Sequence, residues 1–280
     1  EDIFDIQNDI AHEIAGALLP KLGLAQGVML VKQGTTNLDA YNLRLKAHQW
    51  LLSPDPKTFG MAIEQLQHAI ALDPSYGDAW GELGYIYAYS ATWARDPMSP
   101  MMEASTAAAR ALARSPTNVA ALLTRAFVSM VIHRDPATAA SHYARARAAG
   151  VDLSAWAFNK AYVLDGPLGH FDEAIAALRD AELKDPLAPT LKWILIEMQL
   201  AAGRTAPALE TAERLHQCQP RVPGSMAYEA YAFLAAGDLA RTEQSLLELK
   251  AATSDDFWHV ALIKFDICAA TGKREDAQRL

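Results

Sequence analysis

The sequence predicts an all-α fold, an α-α superhelix of about seven stacked helix pairs preceded by one amphipathic helix. Three observations predict it. A short pattern of small and large apolar residues ending in proline recurs along the chain. Glycine turns punctuate helix-period stretches at matching places. The composition, 51% hydrophobic and 21% charged, belongs to an ordered globular protein in which helix formers dominate.

The recurring pattern is Ala62, Leu66, Ala69, Pro74, with steps of four, three and five. The same steps return in Ala104, Ala108, Ala111, Pro116, in Ala174, Leu178, Ala181, Pro186, and in Ala208, Ala212, Leu215, Pro220. A looser copy is Thr242, Leu246, Leu249, Ser254. Steps of four and three place side chains on one helix face, and small residues there let a neighbouring helix approach closely. The proline then ends the helix, because it lacks an N–H and crowds the preceding turn. Upstream of each such face lies a partner helix, best seen in Ala79-Trp80-Gly81-Glu82-Leu83-Gly84-Tyr85-Ile86-Tyr87. Between the two helices of a pair stand Gly169, Gly203, Gly237 and Gly272, residues that adopt a left-handed turn at low cost.

Trp80, Leu83, Gly84 and Tyr87, followed by the small–large–small–proline pattern, resemble the signature of the tetratricopeptide repeat (TPR) family. The resemblance covers residues 37–280, with units starting near 38, 77, 119, 153, 189, 223 and 258, the last one truncated. The third unit is weaker, since Gly150-Val151 stands where the proline is expected; the first and second carry inserts at 53–56 and 90–100. Trp80, Leu83, Tyr87, Leu66, Leu178 and Leu246 are expected in the core.

Residues 1–36 do not follow the repeat. Ile3, Ile6, Ile10, Ile14 and Leu18 form an apolar stripe at helical spacing that ends at Pro20. Together with Thr36-Asn37-Leu38-Asp39-Ala40-Tyr41, this segment resembles the junction preceding TPR arrays in bacterial multidomain regulators, which carry a class III adenylate/guanylate cyclase or a winged-helix DNA-binding domain upstream. The chain opens without methionine and closes inside an apparent helix, so it reads as a piece of a larger protein. Neither output domain is present in these residues.

The composition also excludes. A net charge of −8 without any basic run argues against direct nucleic-acid binding, which needs clustered Lys and Arg. No run of eighteen apolar residues exists to span a membrane. Cys218 and Cys268 have neither metal-ligand nor disulfide-framework spacing, which favours a reducing, cytoplasmic location. No catalytic residues, metal ligands or cofactors are expected. The chain lacks glycine-rich phosphate loops, Cys-x-x-Cys, His-Glu-x-x-His and Gly-x-Ser-x-Gly. His216 and Cys218 lie two apart on a helix and so face different ways. The acid pairs Asp255-Asp256 and Glu275-Asp276 read as helix caps.

In the TPR family the first helix of each unit lines a concave groove. Carried onto this sequence, the resemblance places Tyr85, Tyr89, Phe127, Met130, Trp193, Glu197, Tyr231 and Asp266 in a partner-binding lining, with Asp78 and Asp165 as further acidic edges. That lining holds no Lys or Arg in the second to seventh units, so a clamp for a carboxylate terminus is not expected. An apolar helix or extended segment with some positive charge suits it better. The same aromatics also suit the solenoid core, and the Ile3–Leu19 helix has a stripe able to fill the groove; the sequence leaves these roles open. The functional expectation is a non-catalytic protein-interaction or regulatory module with a protein or peptide partner, or a homo-oligomer. The other reading is the regulatory region of a cyclase or winged-helix regulator.

Overall fold

The computed structural model describes residues 34–51, 56–91, 94, 96–218, 222–252, 263–264, 266–268 and 271. The expected Ile3–Leu19 helix, the acid pairs at 255–256 and 275–276, and most of the last repeat lie outside them. The chain divides into two compact units, Glu1–Ala149 and Gly150–Leu280. The division falls at the one place where glycine replaces the expected proline.

In the first unit three helix pairs follow one another: α1 (Leu38–Leu51) with α2 (Pro56–Leu72), α3 (Gly77–Ala91) with α4 (Met98–Arg114), and α5 (Val119–Val131) with α6 (Pro136–Ala148). In the second unit α7 (Leu153–Lys160, continuing as a π turn over Ala161–Asp165) pairs with α8 (Phe171–Lys184), α9 (Pro189–Ala201) with α10 (Thr205–Cys218), and α11 (Pro223–Ala235) with α12 (Leu239–Ala252). No strand occurs among the described residues. Helices α2, α4 and α8 each stop two residues before Pro74, Pro116 and Pro186. Asn118 and Asp135 cap α5 and α6, accepting hydrogen bonds from the Ala121 and Thr138 N–H groups. Gly169, Gly203 and Gly237 take φ of 75°, 72° and 76°, the left-handed turn that separates the two helices of a pair.

The small–large–small triplets form the core in both units. Ala62, Leu66 and Ala69, Ala104, Ala108 and Ala111, Ala174, Leu178 and Ala181, and Ala208, Ala212 and Leu215 are all buried. Each buried leucine stabilises by about 2 kcal/mol through area removed from water. Close approach is built in at Gly84: a Cβ there would meet the Ala104 O and Ala108 N of α4 at 3.1 Å. Within each unit the first helix of a pair packs on the first helix of the next, α1 on α3 on α5 and α7 on α9 on α11. Those helices therefore form one continuous face per unit, the arrangement of an α-solenoid.

Two expected core residues differ. Leu66, Leu83, Leu178 and Leu246 are buried, but Trp80 and Tyr87 are only half-buried. They line a cavity of about 230 Å³ with Gln67, Ile70, Glu103 and Arg110. The Trp80 Nε1–H donates to the Pro74 carbonyl at 3.1 Å, and the Arg110 guanidinium covers its ring at 4.5 Å. The indole thus anchors a turn with its polar edge, and a cation rather than the core covers one face.

Candidate functional site

On α9, Trp193 and Glu197 are four residues apart and share a helix face. On the adjacent first helix α11, Tyr228 and Tyr231 are three apart. Packing of α9 on α11 brings these four together. The Trp193 and Tyr228 rings stack, 5.9 Å between centroids and 5° between planes, and Tyr231 meets Tyr228 edge-on at 6.0 Å. Trp193 is held by two devices. Its Nε1–H donates to Ser225 Oγ at 3.2 Å, and Gly224 leaves the space its ring occupies, since a Cβ there would stand 2.6 Å from Cζ2.

Glu197 sits beside these rings. Among the described residues its carboxylate accepts one long hydrogen bond, from the Tyr228 hydroxyl at 3.4 Å. Burial raises the Glu197 pKa above the usual carboxylate range, and the Tyr228 hydrogen bond only partly opposes this. Burial also pushes up the Tyr162, Tyr228 and Tyr231 hydroxyls, with the nearby Glu197 charge adding to each. Asp266 lies near Tyr231, and burial raises its pKa as well. Among the described residues, no Lys, Arg or His forms an ion pair with Glu197 or Asp266.

The first-helix face of the first unit is built differently. Tyr85 and Tyr89 on α3 lie 5.0 Å apart, and Tyr89 lies 6.1 Å from Phe127 on α5. Phe127 is only 3% exposed, so it backs Tyr89 from the core instead of facing a partner. Met130 is half-buried at the end of α5. Next to this group, Glu82 of α3 is gripped from α1: Arg44 donates to it at 2.6 Å, and His48 Nδ1 lies 3.3 Å from the same oxygen. Asp78 accepts a 2.9 Å hydrogen bond from Asn118 Nδ2. Its pKa is raised by burial, a shift that the Arg44 charge opposes.

The structure therefore gathers Tyr85, Tyr89 and Phe127 in the first unit, and Trp193, Glu197, Tyr231 and Asp266 in the second. Asp165 does not edge a groove. It is 2% exposed and receives Lys160 Nζ at 2.6 and 2.5 Å, because the π turn carries it inward beside that lysine. Sequence reasoning missed Tyr228, which occupies a position outside the set carried over from the family, although its spacing of three from Tyr231 marks a shared face. It also missed Arg44, which stands in the first repeat, outside the second to seventh units whose positions define the lining. His216 approaches Glu229, with Nδ1 3.0 Å from Oε2, while Cys218 is exposed. Among the described residues no three His, Cys, Asp or Glu side chains gather as metal ligands, and no helix is long and apolar enough to cross a membrane.

No protein-family model matches the sequence, and no curated protein is significantly similar to it. Similar solved structures share its fold at low identity. PilW, a widely conserved type IV pilus biogenesis factor, superposes with a TM-score of 0.57 at 16% identity, covering 81% of this chain and 99% of its own. A tetratricopeptide repeat protein from Parabacteroides merdae gives 0.56 at 14%, covering 86% and 90%. Human IFIT1, in its dimer with m7Gppp-AAAA, gives 0.66 at 12%, with 95% of this chain covering 60% of that one. At such identities the likeness is one of fold, and the fold is that of tetratricopeptide repeat proteins: an all-α solenoid of helix pairs.

Proposed function

We propose that the chain is a protein-interaction module whose first-helix face holds an apolar segment of a protein partner. The observation that carries this reading is the second-unit cluster of Trp193, Tyr228 and Tyr231. Large aromatic side chains stand half-buried on adjacent first helices, with Trp193 held by Ser225 and Gly224. Rigid, partly exposed aromatics are the residue types that dominate protein interfaces, because little side-chain entropy is lost when a partner covers them. A module of this kind inside a bacterial regulator, next to a cyclase or winged-helix domain, is supported by the junction resemblance of residues 1–41 alone. The sequence of the intact gene product tests that part.

The binding reading is tested with a photo-crosslinking amino acid, p-benzoylphenylalanine, placed in turn at Tyr231 and at Leu183, in cells expressing the protein. Leu183 is 84% exposed on the second helix α8 and serves as the control surface. Adducts are expected at position 231 and not at 183. An adduct of twice the chain mass would identify the partner as a second copy. Adducts only at 183, or none at either position, would overturn the reading.

A further inference from the structure

We infer that the Trp193–Glu197–Tyr228–Tyr231 cluster is a subsite for one cationic side chain, a lysine or arginine, carried by the apolar partner segment; this rests on the binding function proposed above. Three observations lead to it. The first is how this protein treats its other acids. Among the described residues each buried carboxylate has a partner of opposite or potential positive charge: Glu82 has Arg44 and His48, Asp165 has Lys160, and Glu229 has His216; the half-buried Asp78 has the Asn118 amide and the charge of Arg44 nearby. Glu182, nearly buried, has Arg214 and Lys192. Glu197, half-buried on the helix face it shares with Trp193, is given only the Tyr228 hydroxyl at 3.4 Å among the described residues. A carboxylate drawn from water without a counter-charge is costly, and a cation arriving with a ligand removes that cost.

The second observation is the surroundings. Indole and phenol rings attract cations to their faces, and the attraction grows where water is excluded. Trp193 is half-buried, so its indole keeps surface for a ligand. The third is the neighbouring charge. Asp266, near Tyr231, adds a second acid and no base, so the local potential repels an acidic or phosphorylated segment and draws a basic one. Apolar contacts to the rings and one ion pair to Glu197 together define the occupant: an apolar stretch with a single Lys or Arg.

The experiment is a selection of random displayed peptides on the full chain, run in parallel on Glu197→Gln. Wild type is expected to enrich apolar peptides with a Lys or Arg at one recurring position. Glu197→Gln, checked for native circular dichroism, is expected to enrich apolar peptides without that preference. The best wild-type binder is then resynthesised with norleucine in place of its basic residue, which keeps the aliphatic stem. Its affinity for wild type should fall about tenfold, while its affinity for Glu197→Gln should be unchanged. Should Glu197→Gln not fold, the norleucine peptide against wild type decides alone. Enrichment with no basic position, or a norleucine peptide that binds as well as its parent, overturns the cation subsite and leaves the binding module standing. No enrichment on wild type overturns both.

Discussion

Glu82 and Glu197 are first-helix carboxylates drawn out of water, one in each compact unit, and the protein treats them in opposite ways. In the first unit Arg44 and His48 reach across from α1 and close the charge internally. In the second, the helix before Glu197 offers Tyr162, the helix after it offers Tyr228 and Tyr231, and no cation arrives from the described residues. The scaffold is the same: helix pairs, buried alanine–leucine triplets, first helices in register. The difference lies in a few side chains, which is where function resides on a fold that many proteins share. An acid with an internal partner is part of the structure, whereas an acid without one is available to a ligand.

The largest effects test whether the two units are separate bodies of stability. Leu66→Ala and Leu178→Ala each remove a fully buried side chain from a tight triplet. Each should cost roughly 2–5 kcal/mol, the range for a leucine cavity that collapses incompletely. In a solenoid the loss spreads only to neighbouring repeats. Hydrogen exchange should therefore show protection lost within residues 34–149 for Leu66→Ala and within 150–252 for Leu178→Ala. Equal loss over both ranges from either variant would show one cooperative body and weaken the comparison.

Much of this scaffold was legible beforehand, and the reason is physical. Helix pairs that bury one face against neighbours must repeat their small and large residues at steps of three and four, so Ala62, Leu66 and Ala69 announce the core. The candidate site was half legible. Trp193, Glu197 and Tyr231 stand at positions that the resemblance to the repeat family carries over, with Tyr231 matching Glu197 in the next repeat. Tyr228 lies outside the carried-over positions, and only the packing of α9 on α11 brings it to Glu197. The π turn at 161–165 was invisible, because nothing in the pattern distinguishes an extra residue in a turn. Its hydrogen bond from Gly166 N–H to the Ala161 carbonyl depends on tertiary packing, where Met198 crowds Gly166. Asp165 was thereby turned from an expected surface acid into a buried ion pair.

The next effect sets the two acids against each other. Arg44→Ala strips a nearly buried Glu82 of its main partner and should cost about 2 kcal/mol, less than a fully buried pair because His48 remains. Glu197→Gln should do the reverse at neutral pH and raise Tm by about 2 °C, since it keeps the shape and removes a charge that no cation among the described residues neutralises. The sign follows from the raised pKa of Glu197. A carboxyl whose folded pKa exceeds its unfolded one carries no penalty below the unfolded value, and the full penalty once it ionises in the folded state. The gain from Glu197→Gln is therefore expected near pH 7 and absent below about pH 4. Thermal melts at both pH values check it. A Glu197→Gln protein less stable than wild type at pH 7 would mean that an internal partner already neutralises this acid, and the contrast with Glu82 would disappear.

The smallest effect belongs to His48. The hydrogen bond to Glu82 is the main cause of its raised pKa, with burial opposing, the Glu82 charge adding and the Arg44 charge opposing. A histidine whose folded pKa exceeds its unfolded value contributes its stability in full below the unfolded value, about 6.5, and loses it as pH rises through the folded one. With its side chain 52% exposed, solvent screens the pair, and the contribution is ~0.5 kcal/mol or less. Urea midpoints for wild type and His48→Gln at pH 6 and pH 8 isolate it. Wild type should lose slightly more stability than the variant between those values, because only wild type releases the His48 proton there. Parallel midpoints would show that Arg44 alone closes the Glu82 charge, which leaves the first unit's acid satisfied by one cation, as the second unit's acid is proposed to be by its ligand.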